Sequence, residues 1–274
     1  MRDDLGDRIK NNYEDRTRYY LPRRTYTILR LDGCHFRSYT KGLNKPFDYD
    51  LYEDIDKAII ATLSEIQGAV FAYTQSDEIS ILLTDFTTPS TEAWFDGNIQ
   101  KICSVAASIF TAQFMFLRAH RMKKQYESLF TEEEHKFKIA LFDARVFTIP
   151  DRIEVMNYFI WRNQDCARNS LSSIAQANFS HAELQGKNIL ELHKMLKQKG
   201  INWELDFSNN IKYGRLITKE IYSGKATWNC DNNSLGELTN LVYRTQWVSK
   251  DAWKFTEDKE TLLLMIPHNI NNFK

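Results

Sequence analysis

The chain has 274 residues, of which 43% are hydrophobic and 13% aromatic, enough apolar mass for a sizeable core and unlike a disordered chain. The 36 Lys and Arg balance 36 Asp and Glu, so the formal net charge is zero. That excludes a uniformly basic coat and leaves room only for local basic patches.

Four cysteines (Cys34, Cys103, Cys166, Cys230) are widely spaced with no C-x-x-C, against a Cys-rich zinc site or a disulfide scaffold. The N-terminus MRDDLGDRIK lacks the apolar run of a signal peptide, and no stretch approaches the ~18 consecutive apolar residues of a membrane helix. The expectation is a soluble, cytoplasmic protein with no membrane partner. The basic runs Arg16–Arg24 and Leu117–Lys124 read, singly, as solvated faces.

In chain order, residues 1–24 are expected to form a charged, Tyr-rich helix stopped near Pro22. Thr25–Leu31 follows as a strand, with Tyr26 and Ile28 on one side and Thr27, Leu29 and Leu31 on the other. Gly33 marks a tight turn, and SYTKGLNKPFD a polar loop. A helix begins near Asp48, with Leu51, Ile55, Ala58, Ile59, Leu63 and Ile66 as its apolar stripe and Gly68 as its stop. Ala69–Tyr73 and Glu78–Leu83 are strands joined by the turn Thr74–Asp77. Pro89–Glu92 is read as opening a long helix carrying Trp94, Ile102, Ala106, Phe110 and Phe114. The charged stretch His120–Lys138 is expected to project from the body, as an oligomer contact, before a strand over Ile139–Ile149.

Strand, helix, strand, strand, helix, strand is the order of the ferredoxin-like βαββαβ arrangement, an α+β fold. The core is expected over about 25–150, with a helical and C-terminal extension over about 151–274, as one domain. Within the extension, Arg215–Tyr222 and Thr261–Ile266 read as strand-like. In that arrangement the first and third strands are antiparallel neighbours, so Asp32 meets Asp77 and Glu78.

Asp32-Gly33 and Ser76-Asp77-Glu78 are therefore the central candidates. Either aspartate alone is an ordinary turn acid. Brought together, with the Gly33 carbonyl, they offer hard oxygen ligands of the kind Mg²⁺ takes alongside substrate phosphates. P-loop and Rossmann signatures are absent, as is H-E-x-x-H. Arg37 and Lys45 lie downstream on the polar loop, and His35 is the one histidine near the acids. Tyr158, Phe159 and Trp161 with Arg162 and Arg168 mix aromatics and cations, which suits either core packing or stacking on bases.

LRLDGCHF, KPFDYDL, YTQSDEISILL, Trp94-Phe95 with Lys101, FDARVF and YFIWRNQDCARNS together resemble the tRNA-His guanylyltransferase family, closest to its guanylyltransferase-like branch of 3′-to-5′ polymerases. The resemblance runs from LPRR to about Trp203 and fades in the tail. It implies a polymerase-like palm with two Mg²⁺ ions, held by Asp32, Gly33 and Asp77, with Glu78 beside them as a further catalytic acid. It implies nucleotide contacts along Asp32, Gly33, Cys34, His35, Phe36 and Arg37, at Ser76 and Asp77, and from Lys45 near the triphosphate.

The implied reaction is addition of nucleotides to the 5′ end of tRNA, after activation of the 5′-monophosphate by ATP or GTP, with NTPs as building blocks. A homotetramer, a dimer of dimers, is also implied. Where G-adding members carry an H-I-N-N-L-Y-N-T-like run, this chain has Ala167–Ser173, which favours templated repair of truncated tRNA over exclusive G addition to tRNA-His. A nucleotidyl cyclase on a similar palm and a non-catalytic RNA-binding scaffold remain the rival readings.

Overall fold

The computed structural model describes residues 3–127, 138–225 and 241–269. Cys230 and most of the segment expected to project beyond Glu127 lie outside these residues.

The strands are β1 (Tyr26–Cys34), β2 (Ala69–Gln75), β3 (Glu78–Leu83), β4 (Leu141–Ile149), β5 (Arg215–Lys225) and β6 (Leu241–Asp251). The helices are α1 (Asp4–Ile9), α2 (Phe36–Tyr39), α3 (Tyr49–Glu65), α4 (Ile99–Glu127), α5 (Arg152–Asn178), α6 (His181–Leu184), α7 (Ile189–Gln198), α8 (Trp203–Asp206), α9 (Asn209–Tyr213) and α10 (Lys259–Met265).

The sheet order is β4-β1-β3-β2-β5-β6, and neighbouring strands pair antiparallel. Its first four strands keep the expected ferredoxin-like order, and the α+β class stands. β5 and β6 continue the same sheet past β2, so the C-terminal part of the chain widens the sheet rather than trailing from it.

Alternation along β1 assigns the two faces. Leu29 and Leu31 point to a core under α3 and α4, shared with Ile55, Ile59, Phe110 and Phe114. Tyr26 and Ile28 point to the other core, closed by Val155 and Phe159 of α5 and by Phe255 and Leu262. Further along β1 this second face turns polar, at Arg30 and Asp32, and there the acids collect.

α3 is capped by Asp48, whose carboxylate accepts from the Leu51 N–H at 2.8 Å. Its buried stripe is the expected one, and Thr62 is satisfied by donating to the Ala58 carbonyl at 2.7 Å. α4 is long and apolar enough over Ile99–Lys123 to cross a membrane by length and composition, yet Ile102, Ala106, Phe110 and Phe114 pack into the sheet core. Arg118 and Arg121 bind Asp54 across the α3–α4 contact, at 3.0 and 2.7 Å.

Several expectations need correction. The N-terminal helical turns end at Thr17, short of Pro22, passing from α (Asp4–Ile9) through a wider π segment (Lys10–Glu14) to a tight last turn (Asp15–Thr17), and Tyr20 instead bridges Asn98. α4 starts at Ile99, not at Pro89–Glu92. A short turn over Trp94–Gly97 intervenes, with Phe95 and Asp96 at φ 51° and 53°, which the helical spacing of Trp94 concealed. Thr261–Ile266 is not a strand: Asp258 caps the Thr261 N–H and Leu262 is buried, so the apolar run is the inner face of α10. β6 is not expected as a strand: its apolar residues do not alternate with polar ones, and Tyr243–Asp251 are exposed or only partly buried.

Candidate active site

β1 and β3 pair through Leu31↔Ile79, which carries Asp32 to the start of β3, where Asp77 and Glu78 follow the β2–β3 turn. Ser76, in that turn, holds φ at 50°. Its hydroxyl donates to Asp77 Oδ1 at 2.9 Å. Gly33 is the other wall of the site. A Cβ there would lie 2.6 Å from Asp77 Oδ2 and 2.6 Å from the Phe36 ring, so glycine is what lets the carboxylate approach the β1 backbone.

Burial raises the Asp77 carboxyl from 3.8 to about 6, with repulsion from Asp32 and Glu78 adding to it and the Ser76 hydrogen bond opposing it. A raised, half-buried carboxylate close to a second aspartate is a site short of positive charge. Asp32 meets that need partly with arginines, Arg30 at 3.1 Å and Arg145 at 3.7 Å. Among the described residues, no group of three or more His, Cys, Asp or Glu side chains forms a metal cage. The Asp32 and Asp77 carboxylates beside an open cleft fit Mg²⁺ nonetheless, since that ion keeps positions for water and phosphate oxygens.

Glu78 sits differently. Its carboxylate is clasped by Arg30 at 2.5 Å and Arg162 at 2.9 Å, and the residue is buried. It orders the arginines that flank the acid pair. Asp143, which no motif argument singled out as an acid, lies directly across from Asp32 on β4. Arg145 binds it at 3.1 Å.

Beside the acids opens a cleft of about 430 Å³. Asp32, Lys45, Ser76, Asp77 and Glu78 line it, bringing together five of the expected positions. Gly33, Cys34, His35, Phe36 and Arg37 are not among the lining residues. The Cys34 thiol turns to Asp143 at 3.7 Å, and His35, at φ 51°, starts α2 on the exterior. Phe36 is buried against Tyr39, Phe114 and Phe142, so its side chain serves the core, and the Arg37 side chain is exposed.

The remaining lining was not foreseen as a site. Asn169, Ser173 and Gln176 recur at helical spacing along α5, a polar stripe legible in the sequence once the helix is assigned. Tyr52, whose phenol burial pushes up to about 12, stays a neutral donor. Its ring lies 4.5 Å from the Arg215 guanidinium, and Asp56 holds Arg215 Nε at 2.7 Å. No sequence signal joins Tyr52 to Arg215; pairing of β2 with β5, through Thr74↔Arg215, does.

The family model for tRNAHis guanylyltransferase (Thg1) matches residues 6–150. A bacterial tRNA(His) guanylyltransferase (Thg1)-like protein, solved in complex with ATP, is 37% identical with a TM-score of 0.78, covering 96% of this chain and 99% of that one. A bacterial Thg1-like protein solved with GTP is 34% identical with a TM-score of 0.73, covering 97% and 100%. The tRNA(His) guanylyltransferase of Schizosaccharomyces pombe is 28% identical over 195 residues, 66% of this chain and 69% of that protein. With an acid pair, a flanking cleft and these relatives all in the same frame, the chain belongs to the tRNAHis guanylyltransferase family and is a nucleotidyltransferase.

Proposed function

We propose that this protein extends the 5′ end of truncated tRNA in the 3′-to-5′ direction, with the complementary strand choosing each nucleotide. The observation that carries the reading is the convergence of Asp32 and Asp77 in the lining of the cleft of about 430 Å³, with Asp77 packed against Gly33. The complexes of the bacterial relatives with ATP and with GTP support a nucleoside triphosphate as the cleft's occupant.

The chemistry balances in two steps. A 5′-phosphate oxygen of the RNA attacks the α-phosphorus of ATP or GTP, and pyrophosphate leaves. The 3′-hydroxyl of the incoming NTP then attacks the activated 5′-phosphorus, its proton passing to water, and the nucleoside monophosphate leaves. Neither step needs a covalent enzyme intermediate, so the protein's task is positioning and charge.

Asp32, Asp77 and the Gly33 carbonyl would hold Mg²⁺, two ions in this reading, which neutralises phosphate charge and favours an ionised attacking oxygen. Lys45, exposed on the cleft rim, meets the triphosphate as a cation. Tyr52 and the amide and hydroxyl groups of α5 supply neutral hydrogen bonds along the nucleotide. Glu78, Arg30 and Arg162 keep the acid pair's surroundings rigid. A cytoplasmic homotetramer completes the reading, as a means of gathering basic surface from neutral protomers.

A second reading, addition of one G to tRNA-His, is favoured by the name carried by the family model and by the fission-yeast relative. One experiment separates the two. A 5′-monophosphorylated tRNA lacking its first nucleotide, and an intact tRNA-His, are each incubated with ATP, all four NTPs and Mg²⁺. Templated extension of several truncated tRNAs, lost in Asp77→Ala, supports repair. Activity confined to one G on tRNA-His supports the second reading, and no extension of any RNA by folded protein overturns both.

A further inference from the structure

α5 packs through Val155 and Phe159 on the face of the sheet that turns polar at Arg30 and Asp32. Its later turns, at Asn169, Ser173 and Gln176, line the nucleotide cleft on the side of β2 and β5. Its earlier turns lie toward β4, where Tyr158 packs on Phe147 at 5.7 Å and its hydroxyl meets that of Ser80 at 2.9 Å. Trp161, one turn further along and edge-on to the Tyr158 ring, stands outside the cleft lining.

Trp161 is 48% exposed, on a helix whose neighbouring aromatics Phe159 and Tyr158 are packed inward. Its placement is nevertheless rigid. The Arg162 guanidinium lies 3.4 Å from the Trp161 ring centroid, and Arg162 is itself buried and locked to Glu78 at 2.9 Å. Tyr158 braces the indole edge-on at 6.0 Å. A large aromatic surface is thus held in place against the Arg162–Glu78 clasp, next in the chain to Asp77, while remaining open to solvent. Two exposed cations lie on the same side, each with an acidic partner: Arg145 on β4, 53% exposed and paired with Asp143 at 3.1 Å, and Arg168 two turns along α5, 51% exposed and paired with Asp165 at 2.8 Å.

We propose that Trp161 is the stacking platform for the unpaired nucleobase at the end of the RNA substrate, with Arg145 meeting the adjoining phosphate. The inference rests on the nucleotidyltransferase reading above. That reading needs an RNA end to reach Asp32 and Asp77 from the flank the triphosphate does not occupy. An exposed indole suits the task because every base offers a π face, so stacking holds the end without selecting its sequence. The neighbouring arginines add the backbone's electrostatic attraction, and Arg145 can exchange its exposed partner Asp143 for a phosphate.

The test places 2-aminopurine at the unpaired template position of a tRNA lacking its first 5′ nucleotide. Fluorescence should fall on binding wild-type protein, stay bright with Trp161→Ala, and fall again with Trp161→Phe. RNA affinity of Trp161→Ala should weaken about tenfold. Affinity for ATP, measured on the same preparations, should not change.

Equal quenching by wild type and Trp161→Ala overturns the proposal. So does a parallel loss of ATP affinity, because that reports collapse of the Arg162–Glu78 clasp and not a lost platform. Wild type that extends the RNA without quenching also overturns it, and leaves the enzymatic reading intact. Wild type that neither binds nor extends RNA overturns both.

Discussion

Asp77 Oδ2 lies where a side chain on residue 33 would have to go: a Cβ added to Gly33 comes within 2.6 Å of it. The glycine and the carboxylate are thus one structural unit, although 44 positions separate residues 33 and 77 in the chain. Gly33→Ala is expected to push Asp77 or Phe36 aside. A displacement on that scale should cost about 100-fold in extension rate. Circular dichroism should show the fold retained, and full activity in the alanine variant would remove Gly33 from the site.

Asp77 also ties the site to pH. Its folded-state value of about 6 exceeds the ordinary 3.8, so the ionised form costs stability. The cost is absent below the ordinary value, grows between the two, and is constant above about 6. Asp77→Asn should therefore stabilise the metal-free protein at pH 7.5, by about 1–2 kcal/mol. The gain should shrink as pH falls from 6 toward 4. Mg²⁺ should raise the wild-type Tm and leave that of Asp77→Asn unmoved. A metal-free variant no more stable than wild type at pH 7.5 would contradict the burial argument.

Glu78 is expected to act on stability first. Removing its charge strands two arginines, one of them buried, and breaking a buried pair costs about 3–5 kcal/mol. Glu78→Gln should lower the urea midpoint and bring activity down through the shifted Arg30 and Arg162. If activity vanishes while the midpoint stays at the wild-type value, Glu78 touches the reacting groups directly.

Lys45 should show the opposite split. Exposed on the cleft rim, it supports nothing in the core. Lys45→Ala is expected to leave Tm unchanged and to raise KM for the triphosphate about tenfold, the loss of one charge-assisted contact. An unaltered KM would place the triphosphate elsewhere in the cleft.

Local pattern carried much of this molecule. Period-two alternation in β1, the apolar stripe of α3 and the strand–turn–strand around Ser76-Asp77 are written in neighbouring residues, because burying one face of an element imposes its own repeat. The antiparallel contact of β1 with β3, and with it the meeting of Asp32 and Asp77, follows from the element order. The motifs that point to the family lie in those same segments.

Other features exist only once distant segments meet. Nothing near Phe36 in the chain shows where its ring goes; packing against Phe114 and Phe142 puts it in the core. The clasp of Arg30 and Arg162 on Glu78 joins β1, β3 and α5, and the Tyr52–Arg215 wall joins α3 to a strand that follows most of the chain. Ion pairs and cleft walls of this kind depend on side-chain ends separated by whole elements, which no periodicity encodes. The amino-acid sequence alone determined the strands, the acids and the family resemblance. Tertiary packing decided which of those residues face the cleft, because a side chain's partner is set by the sheet order and not by its neighbours along the chain.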